Sequence, residues 1–251
     1  MPFRFYQLNR SSTPLSPFTP SQRRWSSGNP SNSPHPTEKA NSRLIWALIG
    51  INAGIYLYAG YTQVQYQQGF QQPLISFYEN MTLNLSSVRD EGRWWTILSS
   101  CFTHMSFMHF ATNMVGVYYL GQFLTVTPGI SPGRLLTLVL GSGITGGIGY
   151  LAQRSIQSEG VRDYKRALGF SGAVMGVGTV AACLYPRAKV AIYGIVPVPL
   201  WLLMTGYLVY DGFYLSQEGA RVAHAGHLGG LAFGAVYFLL RLRGIPRNPF
   251  M

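Results

Sequence analysis

Six apolar stretches, separated by polar and glycine–proline segments, organise this chain: 44–61, 107–126, 135–152, 169–185, 197–215 and 224–242. Each approaches the roughly 20 residues that an α-helix needs to cross a bilayer. Glycine dilutes the fourth and sixth, which are the weakest by hydropathy. The breaks between stretches carry turn residues: Pro128-Gly129, Pro132-Gly133, Pro186 and Pro246. Residues 62–106 form a long first loop. It opens on a glutamine-rich run and closes on Arg93-Trp94-Trp95, whose aromatics suit the membrane–water boundary. The pattern predicts an all-α membrane protein, a bundle of six transmembrane helices over 44–242 with a short basic tail at 243–251.

Composition strengthens this reading. Only 11% of the 251 residues are charged and 47% are hydrophobic, against about 25% charged in a soluble domain. The net charge of +11 raises nucleic acid as a partner, but the charges lie between apolar spans and in the tails. They point to topology instead, so no nucleic acid is expected and the lipid bilayer is the partner. With the N-terminal tail on one side and the spans alternating, that side receives Arg134, Arg187, Lys189, Arg241, Arg243 and Arg247, without an acid. The opposite side mixes both signs. The positive-inside rule therefore places the N-terminal side in the cytoplasm or the mitochondrial matrix. Two cysteines, Cys101 and Cys183, fit neither a disulfide framework nor a zinc pattern.

Residues 1–43 differ from the rest. They are rich in serine, proline and arginine and hold no acid before Glu38, the composition of an organelle transit peptide. Arg23-Arg24-Trp25-Ser26 is similar to a mitochondrial presequence cleavage context. A disordered basic tail on the cytoplasmic side is the alternative. The mitochondrial inner membrane is the preferred location, with the N-terminus in the matrix; a plastid or another internal membrane is the other.

The chemistry concentrates in two segments at the same end of their spans. Gly169-Phe170-Ser171-Gly172 offers a hydroxyl, and Gly226-His227-Leu228-Gly229-Gly230 an imidazole. A serine beside a histidine can act as nucleophile and base, and an ionisable group inside an apolar span is costly unless it serves a function. The bland alternative is a packing serine and a histidine bonded to a carbonyl. Gly172 and Gly176 are spaced by four, as are Gly230 and Gly234, so the two helices could approach closely there. His109 and Asn113 share a helix face at i and i+4 and could donate hydrogen bonds to an oxyanion, or simply hold a polar loop. His224, one turn before His227, is a second candidate base. His104 reads as structural. Asp211 could orient a histidine as in a triad, but near the end of its span it reads as structural or interfacial.

Together these motifs resemble the rhomboid family of intramembrane serine proteases. The resemblance covers about 44–242: the Trp/Arg-bearing first loop, the H-x4-H-x3-N run at His104–Asn113, the G-x-S-G at Ser171 and the H-x-x-G-x-x-x-G from His227. It implies Ser171 as nucleophile and His227 as general base in a dyad without a carboxylate. It also implies an oxyanion site from His109, Asn113 and the Ser171 backbone N–H. Substrates would be single-span transmembrane proteins, cut through an acyl-enzyme with no metal or cofactor. Met175 stands where many bacterial members carry tyrosine. His224 one turn before His227 is similar to the mitochondrial presenilin-associated branch, though 1–43 hold no extra apolar span. A silent relative that binds or remodels membrane helices is the alternative function, and a small transporter a third. The oligomeric state is left open.

Overall fold

The computed structural model describes residues 35–158, 160–192, 194–217 and 222–247. The expectation of a transit peptide falls mostly on residues before these, outside the described part. The first helix, α1, runs Pro36–Gln67. It begins upstream of the apolar stretch at 44, so 36–43 belong to the bundle rather than to a tail. Pro36 opens it with the fixed φ that a first turn accepts. Asn41, fully buried, then donates its amide to the Ile130 carbonyl at 2.8 Å. The helix also outlasts the apolar stretch. The glutamine-rich run expected in the first loop is helical through Gln67, and Gly69 at φ +96° closes the turn that ends it. There Phe70 N–H donates to Gln65 O and Gly69 N–H to Tyr66 O, a Schellman closure.

The first loop is itself helical: α2 (Gln72–Met81), α3 (Leu85–Glu91), α4 (Thr96–Ser99) and a short 3-10 turn at Ser100–Phe102. Arg93 fastens it by ion pairs to Glu79 and Glu91, and Trp94 and Trp95 are exposed. The remaining apolar stretches become α5 (Phe107–Thr125), α6 (Pro132–Gln157), α7 (Ser171–Leu184), α8 (Leu200–Phe213) and α9 (His224–Tyr237), which continues as a π-helical turn at Phe238–Leu242. Pro132 is the first residue of α6, with Ser131 accepting from Arg134 N–H, so this proline starts a helix instead of breaking one.

The fold is mostly helical, but all-α needs one correction. Between α7 and α8 the chain forms a two-stranded antiparallel hairpin, β1 (Lys189–Ile192) with β2 (Val196–Pro199), in register Val190 to Val198. The sequence Val196-Pro197-Val198-Pro199 explains it. Each proline favours extended backbone in the residue before it, so the fifth apolar stretch enters helix only at Leu200. Among the described residues, three helical segments, Pro36–Gln67, Pro132–Gln157 and His224–Leu242, are long and apolar enough to cross a membrane. The 14 residues of α7 span only about 21 Å at 1.5 Å per residue.

That short helix is the centre of the bundle. Val177, Val180 and Ala181 are fully buried, and α7 packs against α5, α6, α8 and α9. Part of its contact with α9 is backbone to backbone, at glycines. A methyl placed on Gly230 would stand 2.1 Å from the Gly172 carbonyl oxygen, and one on Gly234 would stand 2.6 Å from that of Gly176. Helix α6 joins the same contact: methyls on Gly146 and Gly149 would meet the carbonyls of Gly226 and Ala225 at 2.6 and 2.7 Å. The backbones touch, so the ends of α7 and α9 are held at short range.

Candidate active site

The segment before α7 is tied down along its length. Leu83 and Ala167 exchange backbone hydrogen bonds at 2.9 and 2.8 Å, and Gly169 N–H donates to Ser100 O at 2.9 Å. Asp163, nearly buried, takes a two-pronged pair from Arg154 of α6 at 3.0 and 2.8 Å. Burial opposes its charge, but the Arg154 guanidinium and the Lys165 N–H outweigh that and hold its carboxyl below the usual range. Asn84 donates to the carbonyls of Asp163 and Lys165. The first loop and α6 thus fix the approach to Ser171 from two sides.

Gly169 then turns the chain at φ +124°, and its missing Cβ leaves room for a ring: a methyl there would lie 2.5 Å from His109 Cε1. Phe170 is buried and donates its N–H to His104 Nε2 at 3.3 Å. Ser171 follows as the first residue of α7. In that position its own N–H has no intrahelical acceptor, and the positive end of the helix dipole points outward.

Ser171 Oγ lies 2.8 Å from His227 Nε2. His227, in the first turn of α9, reaches it because Gly172 and Gly230 let the two helices meet. The other ring nitrogen, Nδ1, is 3.1 Å from both oxygens of Asp211. Asp211 is fully buried in the last turn of α8, and its Oδ1 is also 2.7 Å from His224 Nδ1. The second candidate base, His224, therefore binds the carboxylate and not the serine. The dyad expected without a carboxylate has one beside it. The signal for this was in the sequence, an acid inside an apolar span, but a spacing of 16 residues across a turn gives no cue to which histidine it meets.

The remaining predicted residues are placed unequally. The His109 ring lies against Gly169. Asn113 is nearly buried, and its amide is engaged with His104 Nε2 at 3.2 Å and the His109 carbonyl at 2.8 Å. His104, fully buried in the first loop, is the acceptor that joins Asn113 to the Phe170 N–H. Burial, with nearby His109 adding to it, pushes the His104 imidazole down to about 4, so it is neutral at pH 7. Met175 is buried one turn beyond the serine. Ser171, His227, His109 and Met175 line one open cavity of about 1560 Å³, which continues between α5 and α8 to Lys189 of β1. Among the described residues, no group of three or more His, Cys, Asp or Glu side chains is arranged to hold a metal.

Fold and site together define a helical membrane protein with a serine–histidine–carboxylate array at one end of its bundle. Residues 91–244 match the model of the rhomboid domain, which covers more than half of the chain, and the chain belongs to the rhomboid family. It is 28% identical over 203 residues to RHOMBOID-like protein 12, mitochondrial, of Arabidopsis thaliana, covering 77% of this chain and 56% of that protein. It is 26% identical over 196 residues to Rhomboid protein 1, mitochondrial, of Saccharomyces cerevisiae, with 77% and 52% covered. To Rhomboid protease GluP of Bacillus subtilis it is 27% identical over 165 residues, with 64% and 28% covered. The chain spans about half the length of the mitochondrial relatives it matches.

Proposed function

We propose that this protein is an intramembrane serine endopeptidase that cuts single-span membrane proteins. The observation that carries the reading is the 2.8 Å contact between Ser171 Oγ and His227 Nε2 at the wall of an open cavity. Ser171 Oγ attacks the substrate carbonyl carbon as His227 Nε2 takes its proton. The oxyanion forms beside the start of α7, where the Ser171 N–H and the His109 ring on the same cavity wall would donate to it; Asn113 would join them by releasing His104. His227 then passes the proton to the leaving amine and the C–N bond breaks, leaving an acyl-enzyme. Water from the cavity gives its proton to His227 and attacks the ester, and the proton returns to Ser171.

All six apolar helices cross the bilayer in this reading, α7 with the help of its flanking loops. The starts of α5, α7 and α9 and the end of α8 then share one face, the one opposite the basic side. The mitochondrial inner membrane is the proposed location, supported by the tail composition and by the names of two relatives. The test is cleavage of a generic single-span substrate by purified protein in lipid. Wild type is expected to cleave, and Ser171→Ala to fold but leave the substrate intact. Cleavage retained by the alanine variant would remove Ser171 as nucleophile. No cleavage by wild type, with no labelling by a serine-reactive probe, would favour a silent helix-binding relative.

A further inference from the structure

We propose that Asp211 is a positioning residue for His227 and that His224 holds Asp211 in place, so that the site works as a serine–histidine–carboxylate triad with a second histidine behind it. The inference rests on the reading of Ser171 and His227 as the reacting pair. Its ground is the placement of one carboxylate. Asp211 is fully buried inside an apolar helix, where an ionised group is stable only when other groups take up its lone pairs. Two imidazoles do so here: His227 Nδ1 lies 3.1 Å from each oxygen, and His224 Nδ1 lies 2.7 Å from Oδ1.

A carboxylate accepts and does not donate. Each imidazole facing it must therefore carry its proton on Nδ1. For His227 this leaves Nε2 as a bare lone pair aimed at Ser171 Oγ, the tautomer that a general base needs. In the other tautomer Nε2–H would point at the hydroxyl and no proton could be taken. The carboxylate also faces the imidazolium that forms when His227 accepts the serine proton, and lowers the cost of that charge inside the bilayer.

His224 supplies the fixation. Three residues apart on α9, the two histidines lie on one helix face. The His224 ring is stacked on Tyr214, with centroids 5.8 Å apart and planes at 27°, and meets Tyr210 edge-on at 5.7 Å. Held between α8 and α9, it anchors Oδ1 by the shorter of the contacts and keeps the carboxylate from turning away from His227. Among the described residues, the titratable groups around the array are His224 and His227 on α9, Tyr210 on α8, Tyr214 just after it, and His109 across the cavity.

The test is the rate of Ser171 acylation by a fluorophosphonate, and of substrate cleavage, as a function of pH for the full chain in lipid nanodiscs. In Asp211→Asn the amide donates to Nδ1 and selects the wrong tautomer. The acylation rate is expected to fall by about 10³- to 10⁴-fold, the effect of such a change in soluble triads. KM should move less than about threefold, and the residual rate should climb with pH as hydroxide replaces the base. Asp211→Glu should recover part of the loss, and His224→Gln should lose about tenfold. An Asp211→Asn enzyme within threefold of wild type and with an unchanged pH profile would overturn the proposal. Should that variant fail to fold, the ¹⁵N spectrum of histidine-labelled wild type decides, with His227 assigned by difference against His227→Gln. Nδ1–H with bare Nε2 is expected, and Nε2–H overturns the proposal. The spectrum reads the tautomer even if wild type takes no reagent, the outcome that would instead sink the protease reading.

Discussion

At the scale of single residues, Gly169 and His104 carry the geometry around the serine. Gly169 has both a backbone angle that L side chains rarely adopt and a ring within 2.5 Å of where its Cβ would be. Gly169→Ala should therefore displace His109 and cost about 1–3 kcal/mol of stability, seen as a lower thermal midpoint together with slower acylation of Ser171. His104 predicts a pH dependence. Its native value of about 4 lies below the 6.5 of an unperturbed imidazole, so between these the unfolded chain binds more protons than the folded one. Its contribution is complete above about pH 6.5 and is lost progressively as the pH falls towards 4, by up to about 3 kcal/mol. Denaturant unfolding in detergent at several pH values checks this, and His104→Gln should flatten the slope over that window. The sequence marked His104 as structural but gave no cue to its partners. That it links Asn113 to Phe170 depends on a loop folding back over 66 residues.

At the scale of elements, the apolar stretches located the helices well, because burial and backbone satisfaction in lipid favour helix wherever enough apolar residues run together. The ends were less legible. A helix leaving the membrane keeps its hydrogen bonds through polar residues, so α1 runs on through the glutamines until Gly69, whereas Pro197 and Pro199 delay α8 behind a hairpin. Spacing by four marked Gly172, Gly176, Gly230 and Gly234 as a contact, but the part of α6 in it, through Gly146 and Gly149, does not stand out in the sequence. Glycines are common along that helix, and only tertiary structure tells which face meets α9. Gly230→Ala drives a methyl into backbone that cannot yield. It should destabilise by about 3 kcal/mol or more, beyond ordinary overpacking, with loss of Ser171 labelling. The Arg154–Asp163 pair tests the approach to α7. Asp163→Asn removes the negative charge facing the buried Arg154 guanidinium and should cost about 3–5 kcal/mol, read as a lower thermal midpoint, while Arg89→Ala at an exposed pair should change little.

At the scale of the whole molecule, several helices carry large apolar side chains that nothing in the bundle covers. Leu57 of α1, Val209 and Phe213 of α8 and Leu240 beyond α9 are each more than half exposed, which water would penalise and lipid would not. A reporter joined after Met251 should lie on the same side of the membrane as one joined before Met1, as the proposed six crossings require. Opposite sides in a protease-protection assay would overturn the six-helix topology. Fusing 1–43 to a soluble reporter tests the address, with import into mitochondria expected. The backbone-to-backbone seam of α6, α7 and α9 also bears on heredity. Glycines at 50, 54, 60, 206 and 212 have nothing within 4 Å of a would-be methyl, whereas those at 146, 149, 229, 230 and 234 have a carbonyl within 3 Å. One residue type thus divides into positions open to drift and positions closed to it. Variation among descendants of this gene should spare the seam while the glycines with open space beside them wander, a record of the fold written in which codons are allowed to change.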